Sequence, residues 1–288
     1  MATLKAIKKR IGATQSTKKL TRAMRMIAAA KLRKAQMRAL EGRLFATELE
    51  RVLIEIIKRS VNLTHPLLKE PAERKNNIDM VVFTSDRGLC GVFNENLLRH
   101  AVTFIKEKYE KNVRVQTTVL GRKGRDFLRR EGVVINKEFI NLNENLFAEI
   151  MTSELPVLKQ RFLSGEVDEI IIAFNKFKGV GSYEPCLHRL FPASPPIIDE
   201  EYSIDYIYEP VKQDVIEWLI TQGINSRFKM AYFESIAGEL SARMVTMDKA
   251  TKNAEELINS LTTQYNRARQ SAITKDLIDI VGGAEALK

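Results

Sequence analysis

The 288-residue chain has no run of 18 consecutive apolar residues, and its first residues hold no secretory h-region, which argues against a transmembrane helix or a signal peptide. Cysteine is scarce. Cys90 and Cys186 stand far apart, and neither belongs to a CxxC pair. That pattern fits a reducing compartment and speaks against structural zinc. Proline is missing from the first 65 residues and from the last 78; all eight prolines fall between Pro66 and Pro210. Acid is missing from the start: twelve Lys or Arg lie between Lys5 and Arg38, and the first acidic residue is Glu41. Aromatics are nearly missing there too, since Phe45 is the only one in the first 60 residues.

Each absence narrows the reading. Proline breaks helices by removing a backbone donor and clashing with the preceding turn. Two long proline-free flanks around a proline-bearing middle therefore predict two long helices enclosing a globular insert. The acid-free basic arm admits a nucleic-acid grip, a targeting segment or a basic face against an acidic protein surface. Without interleaved aromatics, base stacking is not on offer, so the nucleic-acid reading is the weaker. A hydrophobic share of 44% and a charged share of 28% are those of an ordinary folded chain, not a disordered one.

Periodicity fills in the flanks. Near the C-terminus Phe233, Ala237, Leu240, Met244, Met247, Thr251, Ala254, Ile258, Leu261, Tyr265, Ala268 and Ala272 recur at alternating steps of four and three. A seven-residue repeat held this long predicts a left-handed coiled coil. A second seam runs through Leu32, Ala35, Ala39, Gly42, Ala46, Leu49, Leu53 and Ile56, with small residues at its centre. Ahead of it, Leu4, Ile7 and Ile11 form one stripe and Leu20, Met24 and Ile27 another, with a register shift between stripes. Helices of roughly 55 and 70 residues would span about 80 and 105 Å, too long for a compact domain. They must protrude and cover each other.

The middle alternates strand and helix. Val81–Thr84, Val113–Leu120 and Glu169–Phe174 read as strands, and Glu95–Tyr109, Arg122–Arg130 and Leu146–Leu163 as helices, the last with Pro156 as a kink point. The fold class is α/β: a long antiparallel coiled coil of terminal helices flanking a small Rossmann-like parallel-sheet domain. The boundaries are 1–62 for the N-terminal helix, 77–205 for the central domain and 211–286 for the C-terminal helix.

One loop could carry chemistry. Ser85, Asp86, Arg87, Gly88, Leu89, Cys90 and Gly91 follow the first strand, where open α/β sheets bind ligands. Yet GxGxxG and GxxxxGK[ST] are both missing, so a structural loop held tight by glycine is preferred to a phosphate cradle. Gly121 to Gly124 reads as a turn with two surface cations. His65, His100 and His188 show no ligand spacing, and no neighbouring His activates Cys90. Neither a catalytic residue nor a metal or cofactor ligand is nominated, and no cofactor or direct small-molecule substrate is expected.

The strings Ile11–Thr14, Lys18–Met24 and Ile27–Lys31 resemble the N-terminal motif of the F-type ATP synthase gamma subunits. Ser241–Met244, Met247, Ala250–Thr251, Asn253–Ala254, Asn266–Gln270, Ile273–Thr274 and Ile280–Ala284 resemble that family's C-terminal motif, and Ser85–Gly91 with Asn94 its central one. The resemblance implies a non-catalytic rotor shaft. Its partners would be the alpha and beta subunits of the catalytic head, the epsilon subunit and the c-ring, with no nucleic acid. It implies a peripheral protein on the cytoplasmic side of a bacterial plasma membrane, which couples proton- or sodium-driven rotation to ATP synthesis or hydrolysis. By the same resemblance, Met24, Arg269, Gln270 and Thr274 would touch the catalytic subunits, and Tyr206 and Glu209 the c-ring or epsilon subunit. No cysteine-bearing insertion like that of the chloroplast subunits is present, so thiol regulation of that kind is not expected.

Overall fold

Two helices of 56 and 74 residues, α1 (Leu4–Arg59) and α5 (Lys212–Glu285), account for both proline-free flanks in this computed structural model. It describes residues 4–59, 65–71, 73–193, 206–209 and 211–285. Residues 1–3, 60–62, 194–205 and 286, within the boundaries read from the sequence, lie outside the described residues. The chain forms two units, one of residues 1–29 and 243–288 and one of residues 30–242.

In the first unit α1 and α5 run antiparallel. Lys18 pairs with Glu255 at 2.9 Å, Thr21 meets Thr251 at 2.8 Å, and Arg25 reaches Asp248 at 3.2 Å. The C-terminal seam is the covered face. From Thr251 to Ala272 every seam position is buried or half-buried, and every position between them is exposed.

The N-terminal stripes need correcting. Leu20 and Ile27 are 62% and 57% exposed, and Met24 is half-buried. The covered positions instead run Leu4, Ile7, Ile11, Thr14, Lys18, Thr21, Arg25, Ala28 and Leu32, then onward through the second seam to Ile56. One heptad register therefore holds along α1, without a shift. Its middle is polar because Lys18, Thr21 and Arg25 meet polar partners on α5, so apolar spacing there marks the neighbouring face. These exposed ion pairs contribute little stability, about 0–1 kcal/mol each. Polar layers in a seam serve chiefly to fix its register.

The second unit holds the sheet, in the order β3-β2-β1-β4-β5, formed by β1 (Asn77–Phe83), β2 (Arg114–Leu120), β3 (Ile135–Phe139), β4 (Glu169–Gly179) and β5 (Ser182–Phe191). The connecting helices are α2 (Phe93–Glu110), α3 (Arg122–Arg130) and α4 (Glu144–Leu163), and α4 continues through Pro156 as one helix. β1 pairs in parallel with β2 and β4, as does β2 with β3, while β5 returns antiparallel to β4. The sheet is thus mixed at one edge.

Alternation along β1 sends Ile78, Met80 and Val82 to one core with α2 and α3, and Val81 and Phe83 to another with α4, α5 and the end of α1. In that second core Phe147 stacks on Tyr232 at 3.7 Å, and Phe228 meets Phe83 edge-on at 5.3 Å. Aromatic side chains from α5 thereby tie the long helix to the sheet.

Candidate functional site

The strand order turns between β1 and β4, and that is where an open α/β sheet offers a ligand crevice. The loop after β1 lies at this point. Its residues are spent on the protein's own backbone. Thr84 donates its hydroxyl to Leu120 O at 2.9 Å and its amide to the same oxygen at 2.7 Å. Asn94 accepts from the Ser85 amide at 3.0 Å and donates to the Ser85 Oγ at 2.8 Å and to the Cys90 Sγ at 3.3 Å. The Ser85 hydroxyl donates to Arg87 O at 2.8 Å. Leu89 and Gly91 adopt positive φ, the turn closing with Cys90 buried beneath it.

A helix N-terminus is the ordinary phosphate seat in such folds, because its first amides lack partners. At α3 all three are taken by the loop. The Arg122 amide donates to Asp86 Oδ1 at 3.0 Å, Lys123 to Ser85 O at 3.0 Å, and Gly124 to Thr84 Oγ1 at 2.9 Å. Asp86 also accepts from the amides of Asn141 at 2.9 Å and Leu142 at 2.7 Å. The carboxylate fills the niche a phosphate would need. It also ties the ends of β1, β2 and β3 together.

Replacing Asp86 with alanine should therefore destabilise the chain by roughly 3 kcal/mol, from three amides left without a charged acceptor. Asp86→Asn, which keeps acceptor oxygen, should cost less than half of that. Urea titration of the two variants gives the comparison. Equal losses would show that the retained oxygen contributes nothing and that the charge and second oxygen carry the whole effect.

Two glycines that read from sequence as a mere turn prove essential to this junction. A Cβ at Gly121, where φ is +103°, would lie 2.3 Å from the Thr84 carbonyl oxygen. At Gly124 it would lie 2.6 Å from Thr84 Oγ1. Spacing alone could not reveal this, since the demand comes from Thr84, 37 and 40 positions away.

Burial is the leading cause of shift at Tyr232, His188 and Asp79. It pushes the Tyr232 hydroxyl up to about 12, lowers the His188 imidazole and raises the Asp79 carboxyl, the last opposed by its pairing with Arg161. Among the described residues no group of three or more His, Cys, Asp and Glu could hold a metal, and no helix is long and apolar enough to cross a membrane.

The other nominated residues are dispersed. Met24 is half-buried on α1; Arg269, Gln270 and Thr274 are exposed on α5, with the Thr274 hydroxyl donating to Gln270 O at 2.9 Å. Tyr206 donates its hydroxyl to Glu55 and lies under the Arg59 guanidinium at 4.4 Å, while Glu209 is exposed. Large exposed apolar side chains gather on the long helices: Leu20, Met26, Ile27, Met37, Leu40, Leu44 and Phe45 on α1, and Ile273, Leu277, Ile278, Ile280 and Val281 on α5. Patches of this kind mark surfaces covered by another protein or a membrane.

A protein-family model described as ATP synthase matches residues 3–287. The chain is 43% identical to the ATP synthase gamma chain of Anaeromyxobacter sp. (strain Fw109-5), with all of both chains covered. It is 41% identical to the gamma chain of Geobacter metallireducens, again with both fully covered. A chain in the OSCP/F1/c-ring structure of the Euglena gracilis mitochondrial ATP synthase shares its fold, with a TM-score of 0.68 at 16% identity over 99% of this chain and 94% of that one.

Proposed function

The chain belongs to the ATP synthase gamma-chain family, and on that premise we propose that it is the central rotor shaft of an F-type ATP synthase. The observation that carries the reading is the second face of the long helices. A heptad seam is covered along α1 and, on α5, from Thr251 to Ala272, yet α1 keeps large apolar side chains turned outward beside its seam and α5 keeps them beyond its own. A surrounding protein sleeve is the occupant that suits such helices. The alpha and beta subunits of the catalytic head supply it, with the epsilon subunit and the c-ring at the α/β domain.

Rotation then works by differential contact. A shaft without threefold symmetry presents a different surface to each beta subunit, and a conformational equilibrium shifts only by the difference in contact energy between its states. In this reading Met24, Arg269, Gln270 and Thr274 touch the catalytic subunits, and Tyr206 and Glu209 touch the c-ring or epsilon subunit. The loop Ser85, Asp86, Arg87, Gly88, Cys90 and Gly91 is structural. The chain works as a peripheral protein on the cytoplasmic face of a bacterial plasma membrane, in line with its bacterial relatives.

The subunit itself is non-catalytic. The three α3 amides that could seat a phosphate are already bonded. Calorimetry of the isolated chain with ATP should show no specific binding. A Kd near 1 µM, about −8 kcal/mol, would contradict that.

The shaft reading is tested by isolating the tagged chain from membranes of its source cells. Alpha, beta and epsilon subunits should accompany it in fixed ratio, with the c-ring when mild detergent is used. A chain that elutes without alpha and beta is not the shaft.

A further inference from the structure

The β4–β5 hairpin overruns the sheet. β1 accompanies β4 only as far as the pair Val82 and Ala173, whereas β4 and β5 stay paired out to Gly179 and Ser182. Residues 174–186 therefore form a two-stranded arm with no third strand on the β1 side. Two strands alone are marginal in water. This arm is fastened to both long helices at fixed points.

The first point is the Phe177 peptide. Its N–H donates to Glu234 Oε2 at 3.3 Å, and its carbonyl accepts from Arg43 Nη2 at 2.9 Å. Arg43 and Glu234 are themselves joined, Nε and Nη2 reaching Glu234 Oε1 at 2.9 and 2.8 Å. One side chain from α1 and one from α5 thus take both hydrogen-bonding groups of a single arm residue. The second point is the tip, where the Gly181 amide donates to Ser241 Oγ at 2.6 Å. Between them Gly238 lets Phe93 close in: a Cβ would lie 2.9 Å from Phe93 Cε2, and Phe93 meets Tyr183 of the arm edge-on at 5.1 Å. Positions 234, 238 and 241 are spaced by four and three, so one face of α5 follows the arm for about 10 Å.

Glu234 and Ser241 have no exposed side chain or surface of their own. A fully buried carboxylate is a poor source of stability, because its desolvation cancels most of what its ion pair returns. Directional hydrogen bonds to a defined peptide fix position instead. The neighbouring core contacts of α5, through Phe228 and Tyr232, are apolar, and packed helices can slide by small shear motions against such surfaces.

We infer that Arg43, Glu234 and Ser241 are positioning residues that brace the long helices against the hairpin arm, so that torque on the α/β domain reaches them without slip. The inference rests on the shaft reading. Nothing in it requires these residues to touch a catalytic subunit.

The test uses complete ATP synthase in inverted membrane vesicles carrying Glu234→Gln, Ser241→Ala or Arg43→Lys. Both ATP hydrolysis and ATP synthesis under an imposed ion gradient are measured on the same vesicles. Hydrolysis should stay within about twofold of the unmodified enzyme while synthesis in Glu234→Gln falls about fivefold, the small end of ordinary coupling between sites. Ser241→Ala should shift the ratio in the same direction by less. Arg43→Lys, which keeps the charge but not the fork, should fall between. Should Glu234→Gln fail to assemble, Ser241→Ala still decides. An unchanged synthesis-to-hydrolysis ratio in the assembled variants overturns the brace and leaves the shaft intact. Absence of the unmodified chain from the complex overturns both.

Discussion

Gly121→Ala is expected to destabilise the α/β domain by roughly 4 kcal/mol or more. The new Cβ would stand 2.3 Å from the Thr84 carbonyl oxygen, a backbone atom that cannot swing aside. That carbonyl belongs to the residue whose amide and hydroxyl both hold Leu120 O. The backbone at Gly121, with φ at +103°, adds its own strain for an L side chain, about 1–3 kcal/mol. Overpacking against an immobile neighbour adds another 1–3 kcal/mol or more. Together they take roughly 4 kcal/mol or more from a total that for ordinary domains is about 5–15 kcal/mol. Gly132→Ala is the control, because its φ is +74° but a Cβ there meets nothing within 4 Å. Only the strain remains, so its cost should stay near 1 kcal/mol. Urea unfolding of the two variants separates the causes. Similar midpoints would mean that the close approach to Thr84 is not what demands glycine.

Replacing Arg269 and Gln270 together by alanine is expected to lower ATP turnover of the assembled complex at least tenfold, which is about 1.4 kcal/mol. Both side chains are exposed and flank the covered seam positions Tyr265, Ala268 and Ala272. Arg presents a rigid fork of donors suited to carboxylates and carbonyls on a facing protein. Exposed helix positions contribute little to folding, within about 0.5 kcal/mol, and alanine favours the helix. The melting temperature of the isolated chain should therefore barely move. Turnover equal to that of the unmodified complex would return both residues to the role of a solvated helix surface.

What the sequence made legible, and what it hid, follows from where each element gets its cohesion. The C-terminal seam was readable because its covered positions are apolar or small at a strict repeat, and the structure covers those positions from Thr251 to Ala272. The upper part of α1 was not. Its seam passes through Lys18, Thr21 and Arg25, whose partners are Glu255, Thr251 and Asp248, so pairing, not hydropathy, sets the face. Of the apolar stripe Leu20, Met24 and Ile27, the outer two stand exposed and only Met24 is partly covered.

Strands β1 and β4 announced themselves by apolar runs, and β2 by the pattern of a half-buried strand. The edge strands did not: β3 is Ile-Asn-Lys-Glu-Phe and β5 contains Pro185, compositions that suit the rim of a sheet and resemble loops. The candidate loop was correctly placed after β1 by motif. Its purpose was visible only once Asp86, Ser85 and Thr84 were seen holding the first amides of α3, some 36 to 40 residues on. The arm and its fasteners at Arg43 and Glu234 had no sequence signal, because a lone charged residue on a helix reads as solvated surface, and Ser241 stood in a motif that did not disclose this contact.

The central claim, that this chain turns inside a ring of catalytic subunits, is tested most directly by watching it turn. A fluorescent rod would be attached to an exposed position of the α/β domain in a complex immobilised through its alpha and beta subunits, and ATP added. The account predicts unidirectional stepwise rotation whose speed follows the ATP turnover rate. Sustained ATP hydrolysis with the rod stationary would contradict it.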